Sequence, residues 1–249
     1  MKMIGFSIKL PGLVLLVLIV TYGCGVQKFS DIPGASHNFP HEMKAIEDAF
    51  WWKCRFKIAW PEGERPKGAV DLLLAHAVVA PVLSQYGDNI PYWRFHRRAA
   101  RDAAGHQFSF LFYGTPRTAS SVFDAVETSG VLHRAVTAGI VEKVILDDPA
   151  TPERSGIGDT SDPNWSPEIQ RRWPAFIMGV SSFWLGLIIE VQPQSPESTD
   201  DIRQLLSAYR QADAVITKKW RNEGQHALLH HLNAVFGYEP MLIRKALSF

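Results

Sequence analysis

Cysteine is almost missing from this chain: Cys24 and Cys54 are the two in 249 residues. A disulfide framework and a CxxC metal pair are both excluded for the body, where Cys54 stands alone. Net charge is nearly missing as well. With 26 basic and 25 acidic residues the formal net charge is +1, so no overall field recruits nucleic acid or anionic lipid, and any cationic site has to be local. Nucleic acid is not expected as a partner. Several catalytic motifs are absent too. No Gly-x-Ser-x-Gly elbow occurs, and Gly156-Ile157-Gly158 lacks the third glycine of a nucleotide fingerprint. Between His226 and His230 stand Ala227, Leu228 and Leu229, so the zincin His-Glu-x-x-His is missing. What is present is the composition of a globular protein, 46% hydrophobic and 20% charged, long enough to bury a substantial core.

The N-terminus has the order of an export signal: Lys2 and Lys9, an apolar run from Leu10 to Val20, then Thr21-Tyr22-Gly23-Cys24. Cys24 directly after Gly23 resembles the lipobox of bacterial lipoproteins. That resemblance implies a lipidated Cys24 and a chain anchored in the membrane of a bacterial cell envelope, facing the periplasm. Thr21 and Tyr22 stand where that pattern prefers an aliphatic and then a small residue, which leaves ordinary signal cleavage and an uncleaved anchor open. Residues 1–23 are thus expected to be a signal peptide. Residues 24–47, with Pro33, Gly34 and Pro40, read as a tether.

The body opens with an alternating strand from Phe50 to Trp60, apolar at Trp52, Cys54, Phe56 and Ile58, basic at Lys53, Arg55 and Lys57. Apolar residues at helical spacing follow from Val70 to Tyr86, where Pro81 predicts a kink or an early stop near Ala80. Pro91 to Gly114 reads as a hairpin closed by Asp102-Ala103-Ala104-Gly105. Thr115-Pro116 starts a helix interrupted at Gly130, and Val141 to Leu146 is a last strand. Strand, helix, strand, strand, helix, strand over residues 48–148 predicts an α+β, ferredoxin-like (βαββαβ) four-stranded antiparallel sheet. A long loop at 149–166 is expected to lead into a helical part, 167–249, packed on the sheet. There Trp173 to Ile189 carries no charge; it reads as a buried core helix, with Gly179 and Gly186 allowing a close neighbour. Asp200-Asp201 opens a long helix that Gly224 is expected to break.

Two clusters suggest chemistry. Because strand side chains alternate, burying the Trp and Phe face of the hairpin drives Arg94, His96, Arg98, Gln107, Ser109 and Tyr113 to the other face together, where Lys53, Arg55 and Lys57 are expected to join them. Such a face suits a carboxylate, a phosphate or an acidic partner. The second cluster is Glu223, His226 and His230, which share a face of a regular helix and are the candidate metal ligands. The function expected is that of an exported envelope lipoprotein that binds a small anionic ligand or a partner protein through its polar sheet face. Its partners are the membrane, through an N-terminal lipid or signal anchor, and that ligand or protein. The alternative is an enzyme with a site built on Arg94 and His96, or a helix-borne metal site at His226 and His230. No cofactor is expected.

Overall fold

The computed structural model describes residues 47–191 and 200–239. The expected signal peptide, Cys24 and nearly all of the tether lie outside the described residues, as do the linker around 193–199 and the last ten residues.

The chain is α+β, with a four-stranded antiparallel sheet and a helical C-terminal region. Its strands are β1 (Phe50–Ile58), β2 (Tyr92–Ala99), β3 (His106–Gly114) and β4 (Val141–Leu146), in the order β2-β3-β1-β4. Alternation decides the two faces. Trp52, Cys54, Phe56 and Ile58 of β1 pair with Phe112, Phe110, Phe108 and His106 of β3, while Trp93 and Phe95 of β2 lie opposite Phe112 and Phe110. These rings form a continuous aromatic layer, with Phe110 on Phe112 at 5.3 Å and Trp52 on Phe123 at 6.4 Å between centroids. Turn chemistry closes the hairpin: Gly105 adopts φ +63°, open to glycine at little cost, and Asp102 Oδ1 accepts from the amides of Ala104 and Gly105.

Helices cover that aromatic face. The first is α1 (Gly68–Leu73), which passes through a π-helical stretch, Leu74–Val79, into α2 (Ala80–Tyr86). The helix does not stop near Ala80. Pro81 falls at the first turn of α2, just after the widened π turn, where a missing N–H costs least. After β3 come α3 (Pro116–Glu127) and α4 (Gly130–Thr137), capped by the Thr115 and Ser129 hydroxyls, which accept from the amides of Thr118 and Leu132. Each cap is worth about 1 kcal/mol, so Ser129→Ala should lower the unfolding free energy by about that much in a urea melt.

The C-terminal helices take two different supports, one on the sheet's edge strand and one on another helix. The long helix α6 (Ile202–Gly224) packs on α1, because the sheet's aromatic face is already occupied. Asp201 caps it, accepting from the Arg203 amide at 2.8 Å. It is not broken at Gly224 but continues through a π turn, Gln225–His230, into α7 (His231–Val235). The helix α5 (Pro167–Val191) lies along the edge strand β2. It is not a buried core helix: Pro174, Ser181, Leu185 and Ile188 are buried and the opposite side faces out, Gly179 and Gly186 with open space where a neighbour was expected. Ser181 Oγ accepts from the Phe95 amide at 3.1 Å, and Trp184 meets Phe95 edge-on at 5.5 Å. A helix hydroxyl therefore satisfies an outward-facing donor of an edge strand that would otherwise invite pairing. Ser181→Ala leaves that amide without a partner, so a loss of about 1–3 kcal/mol and faster hydrogen exchange at Phe95 are expected.

Candidate functional site

The second face of the sheet is the polar one, and the register lays it out as rows. Trp51, Tyr113 and Tyr92 form the first; Lys53, Leu111 and Arg94 the second. Ile145, Arg55, Ser109 and His96 make the third, and Lys143, Lys57, Gln107 and Arg98 the fourth. All six hairpin residues singled out in the sequence therefore share one face with Lys53, Arg55 and Lys57. The helices pack on the other.

The 149–166 segment folds over one end of this face. Its backbone is fixed by four contacts: the Trp51 amide donates to Arg154 O at 2.8 Å, Trp51 Nε1 to Ile157 O at 2.9 Å, Tyr113 Oη to Ser155 O at 3.0 Å, and Arg94 Nη2 to Thr160 O at 3.3 Å. Beneath it Trp51, Leu111, Tyr113, Tyr92 and Ile157 make a small second core. Tyr113 is consequently 1% exposed, and its hydroxyl serves the loop rather than a ligand. Arg98 is likewise occupied, held by both carboxylate oxygens of Asp102 and donating to Gly105 O. Ser109 is 3% exposed and its hydroxyl accepts from Gln107 Nε2 at 3.1 Å. His106, three positions before Ser109, points to the opposite face of the sheet.

Charge on this face is unbalanced. Asp147 pairs with Arg55 at 2.9 Å, Glu142 lies 3.8 Å from Lys57, and Asp102 holds Arg98. Among the described residues no carboxylate lies within ion-pair distance of Lys53 or Arg94. The buried Arg94 Nε and Arg55 Nε have no acceptor, and the Thr160 hydroxyl beside Arg94 has no partner. Burial, then the Arg154 charge, lowers the Lys53 pKa below its ordinary value. Burial and then Arg94, Arg98 and Lys53 lower that of His96, and burial lowers that of Arg94. Next to Lys53 and Arg55 opens a cavity of about 310 Å³, lined also by Trp51, Asp147, Glu153 and Arg154.

The His96 shift has a checkable sign. Its folded pKa lies below the ordinary 6.5, so between the two values the unfolded chain binds more protons than the folded one. Stability contributed by neutral His96 is complete above about pH 6.5 and falls as pH drops through that value toward the folded pKa. His96→Gln should flatten the acid limb of stability against pH, read from urea midpoints.

The helix-borne metal set is not assembled. His226 and His230 stack at 5.1 Å between ring centroids and His231 lies 5.2 Å from His230, but among the described residues no group of three or more His, Cys, Asp or Glu side chains is placed to hold a metal ion. The π turn over Gln225–His230 displaces the spacing that a regular helix would give Glu223, His226 and His230.

A different polar cluster escaped the sequence. Asp71, 2% exposed on α1, accepts from Arg97 Nε at 2.8 Å and lies 3.0 Å from His106 Nε2. His106 Nδ1 in turn meets the Lys67 amide at 3.4 Å, which assigns the ring proton to Nε2. Arg97 continues the i, i+2 series of Trp93 and Phe95, so its place on the helix-covered face was available from the period of 2. It also stacks its guanidinium on Trp184 at 4.8 Å. This cluster ties α1 to two strands and is closed to solvent at His106. Comparison of the chain with protein-family models, curated proteins and solved structures finds no match.

Proposed function

We propose that this protein binds an anionic ligand, of carboxylate or phosphate chemistry, on the polar face of its sheet, with Arg94 and Lys53 as the charged contacts and His96 and Gln107 beside them. The observation that carries the proposal is the unmatched charge: among the described residues Lys53 and Arg94 have no carboxylate within ion-pair distance, and Arg94 Nε is buried without an acceptor. An oxyanion placed there accepts from the guanidinium fork and offsets the like-charge repulsion that adds to burial in lowering the Lys53 and His96 pKa values. The loop at 154–160 is anchored rigidly enough to form one wall of the site.

The wider setting belongs to the same proposal. The N-terminal apolar run and Cys24 support an envelope protein anchored at a membrane with its body in the periplasm. For the body, the order β2-β3-β1-β4 with all neighbours antiparallel supports a ferredoxin-like arrangement. In it each helical connection joins strands separated by one inserted strand.

The test uses inorganic sulfate, which stays a dianion across the working pH range. Adding it to the full chain should raise the NMR-titrated pKa of His96 while leaving the ring chemical shifts of the exposed His133 unmoved at fixed pH. An unmoved His96 at saturating sulfate contradicts the site. Linkage also requires sulfate to bind more tightly as pH falls through the range in which the sulfate-bound protein protonates His96 and the free protein does not.

A further inference from the structure

The apolar side of α5 has no use in anion binding. Its buried residues, Pro174, Ser181, Leu185 and Ile188, hold it along β2, and the reverse side presents Ile169, Phe176, Val180, Phe183 and Ile189 to solvent, Phe183 at 49% exposure. From Trp173 to Ile189 there is no charged residue. The stripe does not end with the helix. Val180, Phe183 and Leu187 form one side of a groove of about 620 Å³ whose other side is Ile216, Trp220 and Leu228, with Trp220 itself 55% exposed. A soluble surface rarely keeps so continuous an apolar area uncovered.

What borders the stripe narrows the occupant. Arg171, Arg172 and Trp173 stand at the start of α5, and Lys218, Lys219 and Arg221 flank Trp220 on α6. Glu168 and Glu190 mark the far ends of α5, and Arg97, Asp213, Lys219 and Glu223 line the groove among its apolar residues. Aromatic residues and cations along the edge of an uncharged stripe are the pattern of a helix lying in a bilayer interface. A protein partner wants knobs and hydrogen-bonding anchors in the middle of the patch. Here the middle holds Gly179 and Gly186, whose surroundings are open, and uncharged side chains. Crossing the bilayer is a different matter. The helix is 25 residues long, but withdrawing it from the domain strips the Phe95 amide of Ser181 and the Phe95 ring of Trp184.

We infer that α5 docks the domain on a bilayer surface, lying in its plane with Phe176, Val180 and Phe183 in the acyl boundary. The Leu10–Val20 run gives the chain a separate segment of the same preference. The inference does not rest on the anion site.

The test is a depth measurement on the full chain. In a Cys24→Ser background, where the remaining thiol, Cys54, is buried, an environment-sensitive fluorophore is attached through Phe183→Cys, and in a control through Ser120→Cys on the exposed side of α3. Vesicles of phosphatidylethanolamine and phosphatidylglycerol with brominated acyl chains are then added. The Phe183 label is expected to shift to the blue and lose most of its emission to bromine quenching, and the Ser120 label to keep its aqueous spectrum. An aqueous Phe183 spectrum with vesicles present overturns the inference, whether or not the chain sediments with them. So does a blue shift without vesicles: one that grows with protein concentration assigns the face to a second copy, and one independent of concentration assigns it to a segment of the same chain.

Discussion

Asp71→Ala is expected to lower the unfolding free energy by about 2–4 kcal/mol, the largest loss from any single polar substitution proposed for this chain. Two partners are stranded at once. The His106 ring is 2% exposed and would keep its Nε2–H without an acceptor, which carries the full cost of a buried unmet donor. Arg97 is about two-fifths exposed and can turn to water, so its share is the smaller one. Asp71→Asn retains an acceptor for His106 but turns an amide toward Arg97, and should lose roughly half as much. Urea unfolding followed by tryptophan fluorescence gives both values. A loss below about 1 kcal/mol for Asp71→Ala would show that the cluster does not hold α1 to β2 and β3.

Arg94→Glu is expected to weaken sulfate binding by at least about a hundredfold while changing stability by less than about 1 kcal/mol. A charge-assisted hydrogen bond contributes about 1.5–3 kcal/mol, and 1.4 kcal/mol is a factor of ten. Removing the guanidinium thus accounts for a factor of ten to a hundred, and a carboxylate in its place adds repulsion toward the anion. Arg94→Lys separates charge from geometry, since it retains the charge and loses the planar fork, so it should fall between the wild type and Arg94→Ala. The protein side has little to lose, because Arg94 makes one hydrogen bond, at 3.3 Å to Thr160 O, and no ion pair among the described residues. Thermal melts and far-UV circular dichroism of the variant check that side.

Much of the architecture was legible because it rests on short-range periodicity. Phe108, Phe110 and Phe112 alternate with Gln107, Ser109 and Leu111, and a period of 2 admits only one assignment of faces once the aromatic face is buried. Gly105 and Thr115-Pro116 marked their turn and helix start because each is a local backbone requirement. Contacts between distant segments were not legible in this way. Nothing local in Tyr113 shows that Ser155, 42 positions on, would take its hydroxyl, so it passed for a ligand contact. Asp71 and His106 are 35 positions apart and each is unremarkable alone. The helical end misled for a related reason: α5 has the composition of a core helix, but the sheet face it would have covered was already filled by α1 to α4. The π turns at Leu74–Val79 and Gln225–His230 change helix phase by tertiary packing, which residue propensity does not encode.

The most direct measurement of the cationic face is equilibrium dialysis of radiolabelled sulfate against the full chain at low ionic strength, alongside Arg94→Ala and a control at the exposed Arg117→Ala. The uncompensated pair at Arg94 and Lys53 predicts one bound sulfate per chain, retained in Arg117→Ala and weakened about tenfold to a hundredfold in Arg94→Ala. Equal binding by all three proteins, or none by the wild type, would contradict an anion site on this sheet.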